Sequence, residues 1–89
     1  MPALAEPATH TVVMKAMAFV PQTLTVTKGD TVVWVNEDLF SHTATAAGSG
    51  FDSGEVVPKK TFRYVADKRG TFAYVCTLHP TMKGTLVVE

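Results

Sequence analysis

Thr71-Phe72-Ala73-Tyr74-Val75-Cys76 alternates with period two, so Phe72, Tyr74 and Cys76 share one face of a β-strand. On either side of it, runs rich in Val, Thr, Phe and Tyr recur at Thr9 to Met14, Thr23 to Thr27, Thr31 to Asn36, Thr43 to Ala46, Lys60 to Val65 and Gly84 to Val88. Turn signals separate them: Pro21-Gln22, Lys28-Gly29-Asp30, Gly48-Ser49-Gly50, Pro58 and Lys68-Arg69-Gly70. No helical period of useful length interrupts the pattern. Short strands at this spacing predict an all-β chain folded as an antiparallel β-sandwich. Residues 1 to 8, with two prolines, read as a flexible N-terminal tail before a single domain at 9–89. Ala44 to Gly50 reads as a flexible connection, and Phe51-Asp52-Ser53-Gly54 as a short turn or edge segment.

The chain of 89 residues is long enough for one core without covalent staples and too short for a separate catalytic domain. Its single cysteine excludes an internal disulfide. Eight basic and eight acidic side chains cancel, and no cluster of Lys and Arg makes a nucleic-acid footprint. No apolar run is long enough to span a membrane as a helix. Ala3-Leu4-Ala5 followed by Glu6 has the small-x-small form left at an export cleavage site. The chain is therefore read as a mature, periplasmic form with Met1 added and the signal peptide absent.

Beyond the strand, Cys76-Thr77-Leu78-His79-Pro80-Thr81-Met82 sets a thiol, an imidazole and a thioether at i, i+3 and i+6. Separately each has an ordinary reading: a small buried hydrophobe, a turn, a filler of core space. Together they are ligand types of a blue-copper centre, which needs a second imidazole to complete His₂Cys with a long axial Met. His42 is the candidate. The sulfur ligands disfavour magnesium, calcium and manganese; zinc accepts Cys and His readily but Met almost never.

In these residues the chain resembles the cupredoxins, most closely the amicyanin and plastocyanin-like branch. The first half of the resemblance runs from Phe19-Val20-Pro21 through Leu24, Val26, Gly29-Asp30 and Val32 to Trp34-Val35-Asn36, Asp38 and His42. The second comprises Phe51-Asp52-Ser53-Gly54, Gly70 to Cys76, His79-Pro80, Met82-Lys83-Gly84 and Val87-Val88. The short Cys-x-x-His-x-x-Met loop is similar to that of amicyanin. The resemblance implies an eight-stranded Greek-key sandwich with one copper ion at one end. It assigns His42, Cys76 and His79 as equatorial ligands and Met82 as the axial one, with electrons passing through the exposed edge of His79. It also implies an apolar patch of Met17, Phe40, Leu78 and Pro80 around that edge, where redox proteins dock.

Two departures stand out. Thr43 occupies the place where the family often has an Asn that braces the ligand loop; its hydroxyl is expected to make a shorter brace, to Thr77. Leu78 replaces a proline and restores a backbone N–H, expected to point at the Cys76 sulfur and raise the reduction potential.

The remaining residues have plain readings. His10 is a surface or edge histidine, Ser41-His42 lacks the partners of a nucleophile, and Phe19 and Trp34 are core. Lys59, Lys60, Arg63, Lys68 and Arg69 form a modest basic stretch that at most steers an acidic partner. The function expected is one-electron transfer by a monomeric type 1 copper protein, not an enzyme, because four filled positions leave none open for substrate. The alternatives are a copper carrier or buffer and a domain of a multicopper enzyme such as a nitrite reductase.

Overall fold

A computed structural model describes residues 6–48 and 50–89. The strands are β1 (Thr9–Lys15), β2 (Ala18–Val20), β3 (Thr23–Val26), β4 (Thr31–Asn36), β5 (Thr61–Val65), β6 (Gly70–Cys76) and β7 (His79–Val88). They form two sheets, ordered β2-β1-β4-β5 and β3-β7-β6. The all-β sandwich is as expected, and the described residues contain no helix. The pairing is not wholly antiparallel: β1 runs parallel to β4 (Val12 beside Trp34), and β3 parallel to β7 (Leu24 beside Leu86). Both parallel pairs arise because the chain changes sheet between β2 and β3 and again between β3 and β4.

Two elements differ from expectation. Thr43 to Ala46 is not a strand. Thr45 alone bridges Asp52 on one side and Val75 on the other. The neighbouring amides go to side chains instead, Thr43 N–H to the Cys76 sulfur and Ala44 N–H to Ser53 Oγ. Nor is this segment a loose connection, since Ala44 and Ala46 are buried and Ser53 N–H donates to Ala44 C=O; Ser49 lies outside the described residues. Conversely β2 was not legible. Its hairpin with β1 turns through Ala16 and Met17, both at positive φ (51° and 61°), where glycine or asparagine is the usual signal. A distant residue supports the turn: Asp38 accepts both amides, each at 2.9 Å.

The core lies between the sheets. Val32 and Trp34 alternate inward along β4, and Trp34 meets Phe51, Phe62 and Tyr74 at ring-centroid distances of 5.0, 5.5 and 5.6 Å. Phe19 packs edge-on against Tyr74 at 4.7 Å. Trp34 and Phe19 are thus core, and each fully buried Val, Leu or Phe contributes roughly 1.5–3 kcal/mol.

At the end of the sandwich where β1 and β4 begin, Asp30 accepts the Ala8 and Thr27 amides and contacts His10 Nε2 at 2.9 Å. Ala8, the last residue of the expected tail, is tied down; residues 1–5, including Ala3-Leu4-Ala5, lie outside the described residues. His10 is a paired residue at that end. The opposite end, where β4 and β6 finish, carries His42, Cys76 and His79.

Candidate metal centre

Cys76 closes β6 and His79 opens β7, and the two pair directly across a turn of Thr77 and Leu78. The ladder then slips. Val75 pairs with Lys83, so Pro80, Thr81 and Met82 bulge out of register. Pro80 has no N–H to lose, which suits it to the bulge. Cys76 is fully enclosed, and Met82, at 2 % exposure, belongs to the same cluster. The loop inferred from sequence is thus a hairpin with a bulged return strand.

His42 reaches the same place from the end of β4. Asn36, fully buried, organises the approach: its Nδ2 donates to Phe40 C=O (2.8 Å) and Val56 C=O (2.9 Å), and its Oδ1 accepts Asp38 N–H (2.8 Å). His42 then pairs with Val56 through both backbone groups. Its Nε2 lies 2.7 Å from Asp38 Oδ2. A carboxylate acceptor there keeps the proton on Nε2 and leaves the Nδ1 lone pair facing the sulfur, the arrangement typical of metal-binding histidines. Burial acts to raise the Asp38 pKa, but the Met17 amide, the His42 ring and the Ala16 amide together outweigh it and hold the carboxyl below its ordinary range.

The donor atoms of His42, Cys76 and His79 all lie within 4.8 Å of one another. Cys76 Sγ is 3.7 Å from Nδ1 of each histidine, and the two rings are 5.0 Å apart at 65°. A trigonal centre with bonds of about 2.0–2.3 Å needs donors about 3.6 Å apart, so the spacing fits an ion. A thiolate, two imidazoles and a thioether suit a type 1 copper site. Among the described residues this is the one grouping of at least three His, Cys, Asp or Glu side chains close enough to share a metal.

Around the sulfur the structure corrects one expectation. The amide that donates to Cys76 Sγ is Thr43 N–H, at 3.3 Å; Leu78 N–H makes no such bond. Thr43 reaches the sulfur because its segment runs alongside β6, where Thr45 bridges Val75. The Thr43 brace does form: its Oγ1 accepts Thr77 N–H at 2.8 Å and lies 3.1 Å from the Thr77 hydroxyl. Thr43 therefore holds Cys76 at two points, by its amide on the sulfur and by its hydroxyl on the following peptide.

A family described as "Cupredoxin-like domain" matches residues 2–88. The chain is a cupredoxin. Among curated relatives, it is 30% identical over 81 residues to an amicyanin of Paracoccus versutus, a match covering 85% of this chain and 61% of that one. It is also 30% identical over 92 residues to a plastocyanin of Scenedesmus fuscus, covering 83% and 89%. Among solved structures, the M98A mutant of amicyanin in its Cu(I) form superposes with a TM-score of 0.85 at 26% identity, covering 90% of this chain and 81% of that one. A Cu-containing nitrite reductase from Thermus scotoductus SA-01 gives 0.86 at 30% identity, covering 100% of this chain and 25% of that enzyme.

Around the centre of this cupredoxin, Met17, Phe40 and Leu78 are 40, 58 and 51% exposed, and the Phe40 ring stands 6.3 Å from that of His79. Pro80, which follows His79 in the chain, is exposed. Sequence reasoning missed Leu39, 89% exposed, and gave Asp38 no role. The available signal for Asp38 was its i, i+4 spacing to His42, which places two partners close together only if the intervening loop doubles back. The described residues include no helix long and apolar enough to cross a membrane.

Proposed function

We propose that this chain is a type 1 copper electron-transfer module, with His42, Cys76 and His79 as equatorial ligands and Met82 as the axial one. The observation that carries the reading is the spacing of Cys76 Sγ, 3.7 Å from each Nδ1, behind a hairpin and a buried histidine. Copper, when bound, supplies a one-electron Cu(I)/Cu(II) couple. The chain's own residues do the rest. Asp38 fixes the His42 tautomer and ring angle. Thr43 N–H stabilises charge on the sulfur. The paired strands hold Cys76 and His79 opposite each other, so the donor set changes little when charge changes. His79, half-buried, offers the route to solvent.

Met17, Phe40, Leu78 and Pro80 form the docking surface for redox proteins, an apolar ring of the kind that marks contact sites. The exposed Lys59, Lys60, Arg63, Lys68 and Arg69 bias the approach of acidic partners. A single domain at 9–89, monomeric and exported to the periplasm, completes the proposal. The likeness to a quarter of a nitrite reductase supports a second reading, an electron-delivering domain of a larger copper enzyme. A copper carrier would use the same donors.

Addition of Cu(II) to the purified protein tests the reading. An intense visible colour, lost in His42→Ala and Cys76→Ser, with reversible one-electron voltammetry and fast self-exchange, is expected. Tight zinc binding without colour on copper overturns it, and slow exchange with release of metal to a partner favours the carrier.

A further inference from the structure

We propose that Asp52 is a positioning residue for the ligand hairpin, acting through Thr45 and Thr43 on the peptide between Cys76 and Thr77. The Thr45 hydroxyl has one proton and two acceptors at the same distance: Thr43 Oγ1 at 3.1 Å and Asp52 Oδ1 at 3.1 Å. A carboxylate is the stronger acceptor and draws the proton. Thr43 Oγ1 then keeps its lone pairs for Thr77, whose N–H is 2.8 Å away and whose hydroxyl is 3.1 Å away. Without the carboxylate, Thr45 turns its proton to Thr43 and competes with Thr77 for the same oxygen.

Asp52 is exposed but not free. Its Oδ1 also accepts Gly54 N–H at 2.9 Å. Its backbone bridges Thr45, and the flanking bonds from Ala46 N–H to Phe51 C=O (2.7 Å) and from Ser53 N–H to Ala44 C=O (3.0 Å) set its register. At the other end of the chain of contacts, Thr43 is 5 % exposed and its amide touches the Cys76 sulfur. A surface carboxylate is thereby linked to the thiolate through two threonine hydroxyls, a link that requires a hydroxyl at both 43 and 45.

The proposal deepens the copper reading and rests on it only for its second readout. The first readout is amide hydrogen exchange of Thr77 in the copper-free protein, by NMR, with Gly29 N–H, bonded to Ala66 C=O at the far end of the sandwich, as internal control. Asp52→Ala is expected to speed Thr77 exchange about 3- to 10-fold, the range for one weakened hydrogen bond, and Asp52→Asn by less. Thr45→Val removes the competing proton, so by itself it leaves Thr77 near the native rate. In the Asp52→Ala background it restores that rate. A general loss of stability would instead add in the double variant and would also move Gly29.

The second readout is the reduction potential of the copper-loaded variants. Loss of the Asp52 charge acts through space equally with or without Thr45, so the shift in potential caused by Asp52→Ala differs between the native and Thr45→Val backgrounds only if the hydroxyl link operates. The proposal is overturned by a Thr77 exchange change below about two-fold in Asp52→Ala, by a change that persists in the Thr45→Val background, by an equal change at Gly29, or by an equal Asp52→Ala shift in potential in the native and Thr45→Val backgrounds. A protein that fails to turn coloured with copper leaves the exchange readout intact, so failure of the copper reading and failure of this one are separable.

Discussion

Asp38→Ala is the substitution that most directly tests how the fold prepares the metal centre. The carboxylate receives three bonds, from His42 Nε2 at 2.7 Å and from the Ala16 and Met17 amides at 2.9 Å each. The two amides belong to exposed residues and can turn to water. His42 cannot: its side chain is fully buried, and Asp38 itself is only 14% exposed. Truncation leaves an enclosed N–H without a partner and frees the imidazole to carry its proton on Nδ1, the atom that faces the sulfur. Loss of a charge-assisted hydrogen bond costs about 1.5–3 kcal/mol. Removing the partner that orients a metal-binding histidine lowers metal affinity about 10- to 100-fold, equivalent to about 1.4–2.7 kcal/mol. The assay is competition for Cu(I) against a chelator, with the exposed neighbour Glu37→Ala as control and Asp38→Asn expected to fall between native and Asp38→Ala. Affinity of Asp38→Ala within two-fold of native, with a normal visible spectrum, would refute the claim that this carboxylate orients His42.

Gly84 is required for space. A Cβ there would stand 2.4 Å from Tyr74 Cζ, and the Tyr74 ring is caged by Phe19, Phe51 and Trp34. Gly84→Ala is expected to cost about 1–3 kcal/mol and to lower the melting temperature by about 10 °C; thermal unfolding of Gly84→Ala in a Tyr74→Leu background should show a much smaller loss. Asp30 predicts an acid-side effect. The Ala8 amide, His10 and the Thr27 amide depress its pKa from 3.8 to about 2 in the folded chain, so the unfolded chain takes up the proton first. The stabilisation is complete above the ordinary value and fades as pH falls toward about 2. Melting curves between neutral pH and pH 2 should show that slope flattened in Asp30→Asn; an unchanged slope would mean that the carboxyl does not contribute.

Local order was legible because it is local. The alternation along Gly70 to Cys76 follows from the two-residue period of a strand, and the i, i+3 and i+6 donors lie within one hairpin, so the chain carries them together wherever it goes. The buried roles of Trp34 and Phe19 followed from side-chain size. The Thr43 brace followed from a resemblance in which one residue had changed.

What escaped depends on segments distant in sequence. The β2 hairpin bends through two non-glycine residues at positive φ because a carboxylate at Asp38 holds their amides, and no window around Ala16 contains that carboxylate. Thr43 to Ala46 has strand composition yet forms only bridges, because its amides find a sulfur and a serine hydroxyl. The donor to the Cys76 sulfur is Thr43, on a segment bridged to β6 from far away in the sequence, and not Leu78, two residues along. By itself the sequence determined the strand period, the ligand types and the hairpin that carries three of them. The tertiary structure alone decided the parallel pairings and the donor at the sulfur, since each joins segments distant in sequence, and it alone brought Asp38 onto His42, because the bonds of Asn36 and Val56 shape the loop between them.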